Sequence, residues 1–255
     1  MPDLRVQIAR GVATIVIDRP QARNALAVRT MVEIDDALTE IQASKARVLV
    51  VRGAGDRAFC AGGDLKELER MRSADDAAAM AVRMRTTLDR LTAMTIPVVA
   101  ALNGDALGGG AELALACDFR IAAAHARIGF TQISLGLMPA WGASERLAAL
   151  VGRGQALHML LTGRVLMSAE ALDAGLVEEV VPAEDFDKRV GAIARSIAAA
   201  PPDAVAGIKR SVDSVRPHRH PELADGAIAT FTKTWTAPAH WRAVERMEKL
   251  RKKNR

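Results

Sequence analysis

Residues 103–118, NGDALGGGAELALACD, place three consecutive glycines between an apolar strand and a helix. Residues 59–68, FCAGGDLKEL, repeat the arrangement with two. Each junction leaves backbone N–H groups free at the positive end of a helix. Such groups can hold an oxygen that carries negative charge. Glycine lets a ligand or another backbone come close to the main chain. Neither run is a phosphate loop of the GxxxxGK(S/T) type or a GxGxxG dinucleotide turn. Glu112 follows the triple glycine by two residues, in the first turn of its helix. Two readings of it stand: a glutamate favoured by the helix dipole, or an acid beside an oxyanion site, which proton transfer next to a carbonyl requires.

The rest of the chain alternates strand and helix, which predicts an α/β fold. LRVQIA and VATIVID read as a hairpin turning at Gly11. A helix follows, with Met31, Ile34, Leu38 and Ile41 at three- and four-residue spacing. RVLVVRG is a buried strand that ends in the turn at 53–56. Asp64 and Glu67 suit an N-cap and capping box for a short helix. A longer helix is expected over 75–94, then strands VVAAL and FRIAA. After about residue 142 strand signals fade, and helices are expected over 143–150, 153–162, 168–174 and 183–199. Pro201-Pro202 mark a break before three further helical stretches. The division expected is a sheet-rich core over 1–197 and a helical C-terminal region over 198–255.

Composition narrows the function classes. Aromatics are 3% of residues, with no Tyr, so the core is aliphatic and base-stacking platforms for nucleic acid are poorly supplied. The net charge of +5 owes much to the ending ERMEKLRKKNR, where basic residues also suit a helix C-terminus. Cys60 and Cys117 lack metal-ligand spacing and fit a reducing compartment. The N-terminus has no secretory h-region, and no apolar run is long enough for a membrane span, so a cytoplasmic protein is expected. His125, His158, His218, His220 and His240 are scattered and read as surface or satisfied histidines. The pair 218/220 is too little for a metal site, and no metal is expected. Asp118 reads as structural.

The paired glycine motifs, together with IDRPQARNAL, LGLMPAWGASERL and LTGRVLMSAEALDAGLVEEVVP, resemble the enoyl-CoA hydratase/isomerase family, the crotonases, over nearly the whole chain. The resemblance implies a spiral of ββα turns and a C-terminal helical region that drives trimers, often paired as hexamers. It implies oxyanion-hole N–H groups at Gly63 and Gly109 and a catalytic acid at Glu112. It implies a coenzyme A path past Arg23, Ala25, Ala61, Asp64, Leu65 and Lys66. Lys66 is either a phosphate contact or a solvated helix lysine. Leu107, Pro139, Ala140 and Trp141 would line the acyl pocket. Coenzyme A would enter only as part of the thioester substrate, with no permanently bound cofactor.

The chain departs from the family pattern in three places. The second catalytic glutamate falls on Gln132, an amide that cannot donate or take up a proton but can hydrogen-bond a water. Ala140-Trp141 stands where small residues usually follow the proline, so Trp141 either fills part of the acyl pocket or belongs to the core. The ending PAHWRAVERMEKLRKKNR replaces the usual tail, so the tail's coenzyme A contacts do not carry over. Hydration of a 2-enoyl-CoA leads. An isomerase, a malonyl-type decarboxylase, an RNA-binding relative and a catalytically silent trimer stand as rivals.

Overall fold

The computed structural model describes residues 2–214 and 221–253. His218 and His220 lie outside the described residues. The chain opens with the expected hairpin, β1 (Leu4–Ala9) and β2 (Val12–Ile17), paired antiparallel. Helix α1 (Val28–Ala43) follows and buries Met31, Ile34, Leu38 and Ile41, the four positions that set its period.

Three turns of a spiral come next. In each, one strand joins a large sheet, the next joins a small one, and a helical segment returns the chain. The first turn is β3 (Val48–Gly53), β4 (Ala58–Cys60), α2 (Leu65–Leu68) and α3 (Ala74–Thr92). The second is β5 (Val98–Leu102), β6 (Asp105–Leu107) and α4 (Gly109–Ala116). The third is β7 (Phe119–Ala123), β8 (Arg127–Gly129), a 3-10 turn over Thr131–Leu135, and α5 (Ala143–Val151). After α6 (Arg153–Thr162), β9 (Val165–Met167) and α7 (Ser168–Asp173), the strand β10 (Glu179–Val181) closes the large sheet. The strand orders are β1-β2-β3-β5-β7-β10 and β4-β6-β8-β9. Apart from the β1–β2 and β8–β9 pairs, neighbours are parallel. Strand β5 is buried along its whole length, as a central parallel strand covered on both faces should be.

The chain ends in α8 (Phe186–Ala199), α9 (Pro202–Asp213), α10 (Pro221–Trp235) and α11 (Pro238–Lys253). Pro202 starts α9 at a position where its missing N–H costs nothing. Helix α10 packs along α3, and α11 packs on the 3-10 turn at 131–135.

Two expectations fail. Strand structure persists beyond residue 142 as β9 and β10, because three-residue strands are too short to show a period. The capping box at α2 does not form. Asp64 caps the amide of Lys66 at 3.2 Å, while its own N–H donates to Leu26 O at 2.9 Å and is not free for Glu67.

Two buried asparagines brace the spiral. Asn103 Oδ1 accepts the Gly53 N–H at 2.9 Å, and its Nδ2 donates to Gly55 O at 2.7 Å. Asn24 Oδ1 accepts the Arg19 N–H at 3.1 Å, and its Nδ2 donates to Ala54 O and Ala58 O at 3.0 and 2.6 Å. An unpaired buried amide or carbonyl costs about 1–3 kcal/mol. Asn103→Ala is therefore expected to lower stability by about 2–3 kcal/mol in urea unfolding. A loss below about 0.5 kcal/mol would show that water replaces the side chain.

Candidate active site

Strands β4, β6 and β8 lie side by side and parallel, so their C-terminal ends share one edge of the small sheet. The glycines at 62–63 follow β4, those at 108–109 follow β6, and Gln132 follows β8. Parallel pairing thus gathers three segments that are far apart in sequence.

The two glycine turns touch. A Cβ on Gly62, whose φ is +96°, would lie 3.0 Å from Leu107 O and 3.2 Å from Gly109 N. A Cβ on Gly110 would lie 1.9 Å from Cys60 O, so only glycine lets α4 start this close to β4. Leu26 bridges Gly63 in parallel, but the bonds run from Leu26 N to Gly62 O (2.8 Å) and from Asp64 N to Leu26 O (2.9 Å). The N–H of Gly63 itself therefore faces away from Leu26. Gly109 opens α4, where an N–H has no acceptor within the helix. Among the described residues neither amide donates a hydrogen bond within the chain.

Glu112 lies in the first turn of α4 and is 2% exposed. Its Oε2 accepts the backbone N–H groups of Trp141 (2.8 Å) and Ala143 (3.1 Å). Its Oε1 accepts from Gln132 Nε2 at 2.8 Å. Burial pushes the carboxyl up to about 7. The amides of Ala143 and Trp141, the charge of Arg146 and the Gln132 bond pull it back only in part. Arg146 also donates to Trp141 O at 2.6 Å and pairs with Asp89 at 2.5 Å, which fastens the loop that grips Glu112. Gln132 Oε1 is a buried acceptor with no partner among the described residues.

Trp141 is buried, and its six-membered ring lies on Gly109. A Cβ at Gly109 would stand 2.1–2.9 Å from three of its ring carbons. Its backbone thus holds the carboxylate while its indole covers the start of α4.

The residues expected along a coenzyme A path sit together around the loop before α1 and the start of α2. Arg23 adopts a left-handed backbone (φ 54°) and pairs with Asp105 at 2.5 Å. Ala61 N donates to Arg23 O at 3.1 Å, and Ala25 is buried, its carbonyl taken by Arg19. Asp64 pairs with Arg19 at 2.8 Å, so its carboxylate is already engaged. Leu65 is partly exposed and Lys66 exposed. Leu107, Pro139 and Ala140 flank the glycine turn and Trp141, with Ala140 buried.

Asp118 accepts from Val98 N and pairs with Lys209 at 2.7 and 2.6 Å, a structural role. Burial pushes both cysteine thiols up to about 12, so they stay protonated. The sequence did not mark Asn24, Asn103 or Arg146 for these roles, and His240, expected to be a surface or satisfied histidine, is buried with its Nε2 unpartnered among the described residues. Asn24, Asn103 and Arg146 stand inside motifs already singled out, RNAL, NGDALGGG and SERL, and those motifs were the available signal.

The model of one family, described as Enoyl-CoA hydratase/isomerase, matches residues 7–253. The chain is 41% identical to a crotonyl-CoA hydratase of Syntrophomonas wolfei over 186 residues, 72% of this chain and 71% of that protein. It is 36% identical to a short-chain-enoyl-CoA hydratase of Clostridium acetobutylicum over 203 residues, 79% and 77% of the two chains. Among solved structures, an enoyl-CoA hydratase from Bacillus anthracis superposes with TM-score 0.81 at 35% identity, covering 99% of this chain and 97% of that one. One from Mycobacterium avium subsp. paratuberculosis gives TM-score 0.86 at 28% identity, covering 95% and 98%.

The raised carboxyl of Glu112 links stability to pH. The folded state holds its proton up to about pH 7, while an exposed glutamate releases it near 4.5. The contribution is complete below about 4.5 and is lost as pH rises through about 7. Wild-type protein should therefore lose on the order of 3 kcal/mol through this group between pH 4.5 and 8. Urea unfolding of wild type and Glu112→Gln at both pH values measures it. Equal pH dependence in the two proteins would refute the assignment.

Proposed function

Because the chain belongs to the enoyl-CoA hydratase/isomerase family, we propose that it hydrates a 2-enoyl-CoA thioester at the edge formed by β4, β6 and β8. The observation that carries the reading is a buried carboxylate, Glu112, one helical turn from a glycine whose N–H donates to no group among the described residues.

In this reading the thioester oxygen accepts the N–H groups of Gly63 and Gly109. Water donates one hydrogen to Glu112 Oε1 and the other to Gln132 Oε1, which has no partner among the described residues. Its oxygen bonds to the β-carbon, the C=C electrons move toward the carbonyl, and the enolate oxygen takes up the charge. Donors already in place need no reorganisation, and losing one such donor costs about 10²–10³ in rate in comparable sites. The proton taken by Glu112 then passes to the α-carbon. Both transfers fall to one carboxyl because Gln132 cannot titrate. A carboxyl poised near neutrality suits both, since it gives up and takes back a proton at little cost.

The indole on Gly109 would close the pocket close to the reacting carbons and favour short acyl chains. Coenzyme A would pass Arg23, Ala25, Ala61, Asp64, Leu65 and Lys66, serving as part of the substrate and not as a resident cofactor. The division proposed is a spiral core over 1–197 and a helical region over 198–255. Exposed Ile208, Val212 and Leu223 in the latter would support self-association as trimers or hexamers. No helix among the described residues is long and apolar enough to cross a membrane, and two buried thiols suit the cytoplasm, the compartment proposed.

Crotonyl-CoA should yield 3-hydroxybutyryl-CoA, with kcat/KM rising to a plateau above about pH 7 as Glu112 ionises. Glu112→Gln should lower kcat by about 10²-fold or more. Folded wild-type protein that turns over no enoyl-CoA, or that releases CO2 from methylmalonyl-CoA instead, would overturn the reading. Trp141→Ala should raise kcat/KM for an eight-carbon enoyl-CoA relative to the four-carbon one by about tenfold or more. An unchanged ratio would return Trp141 to a packing role.

A further inference from the structure

The chain has three tryptophans and 3% aromatic residues, yet Trp235 and Trp241 gather around a single histidine. His240 is fully buried at the start of α11. Its ring lies 4.8 Å from that of Trp235 and 4.7 Å from that of Trp241, centroid to centroid. Its Nδ1–H donates to Leu135 O at 2.8 Å, and its Nε2 is buried with no partner among the described residues. Leu135 ends the 3-10 turn that carries Gln132. Gly136 closes that turn in the left-handed region (φ +68°), and a Cβ there would lie 3.6 Å from His240 N.

The same corner reaches the other wall of the site. Trp235 Nε1–H donates to Met71 O at 2.6 Å, and the Arg72 guanidinium lies 4.3 Å above the Trp241 ring. Residues 71–72 follow α2, which begins one residue after Asp64 of the first glycine turn. The corner between α10 and α11 thus meets two of the three segments that lead to the edge, the one that follows β4 and the one that follows β8.

A histidine kept here only to fill space would be a poor choice. Its Nε2, which has no partner among the described residues, carries the cost of a buried polar atom, whereas phenylalanine or leucine would fill the volume without it. What histidine adds is a directed donor to one carbonyl, three residues from the amide that touches Glu112. Burial also lowers its affinity for a proton, which keeps the neutral form with Nδ1–H in place.

We propose that His240 is a positioning residue for the reaction. Its bond to Leu135 O fixes the turn that aims the Gln132 amide at Glu112, and it acts on catalysis through Gln132. The proposal rests on the hydratase reading, but one of its two tests does not.

The first test is kinetic. His240→Phe keeps the aromatic stack and loses the donor, and His240→Leu serves as a second donor-less variant. Each should lower kcat for crotonyl-CoA hydration by about tenfold with KM within about twofold, as a small misplacement of a reacting group does. His240→Asn, whose amide can still donate to Leu135 O, should recover most of the loss. In a Gln132→Ala background, His240→Phe should lower kcat no further.

The second test needs no turnover. The titration midpoint of Glu112, read by NMR on 13C-labelled glutamate, should rise in Gln132→Ala, because the amide bond favours the carboxylate. It should rise equally in His240→Phe and stay at the wild-type value in His240→Asn. Additive losses in the double variant overturn the proposal, as does failure of His240→Asn to rescue. So does a Glu112 midpoint that moves in Gln132→Ala but not in His240→Phe, or that moves in neither. Absence of hydration by wild-type protein would count against the hydratase reading alone, and the NMR comparison would still decide the role of His240.

Discussion

Everything at this site depends on three short parallel strands, β4, β6 and β8, lying side by side. Neighbouring strands run about 4.8 Å apart, so consecutive C-terminal ends fall within reach of one small substrate group. Three-residue strands carry few ladder bonds, and the asparagines make up the difference. Asn24 and Asn103 both donate to Ala58 O, at 2.6 and 3.4 Å, and so tie the start of β4 to the loop before α1 and to the turn after β5. With β4 held, glycine at 110 lets α4 begin against Cys60 O, and the free amide of Gly109 is left at the edge.

A carboxylate buried beside that amide is held by opposing effects. Removal from water favours its neutral form, while two backbone amides, Gln132 and the nearby Arg146 charge favour the ionised one. Among the described residues the partners sit on one oxygen more than the other: Oε2 meets two N–H groups, and Oε1 meets the Gln132 amide. The outcome is a group near neutrality with one oxygen turned toward the site. Arg146 maintains this balance indirectly, since it grips the carbonyl of the same Trp141 whose N–H grips Glu112. Its own charge is matched by Asp89, and Arg85 is shared between Asp89 and Glu145, so the network beneath the carboxylate is internally paired.

Much of the architecture was legible before the fold. The hairpin, α1 and α3 carry clear periods because each has one face in the core. The glycine runs were legible because a glycine needed for close approach cannot be replaced by a larger residue. Strands β9 and β10 were not, being too short for a period. The Asp64 pattern misled because a capping box is local, and the bridge from Leu26, 38 positions away by number, took the amide first. Asn24, Asn103, Arg146 and His240 do their work on carbonyls, amides and charges whose nearness exists only after the spiral has closed.

The sequence by itself determined that strands and helices alternate, that two glycine turns leave free amides, and that one glutamate opens the helix after the second. These are local matters of period, capping and backbone freedom. Only the tertiary structure decided that the turns touch, that Gln132 meets Glu112, that an indole covers Gly109 and that α11 reaches the 131–135 turn. Such contacts join residues 20 to more than 100 positions apart. Their existence depends on strand order and burial, which no short stretch of chain encodes alone.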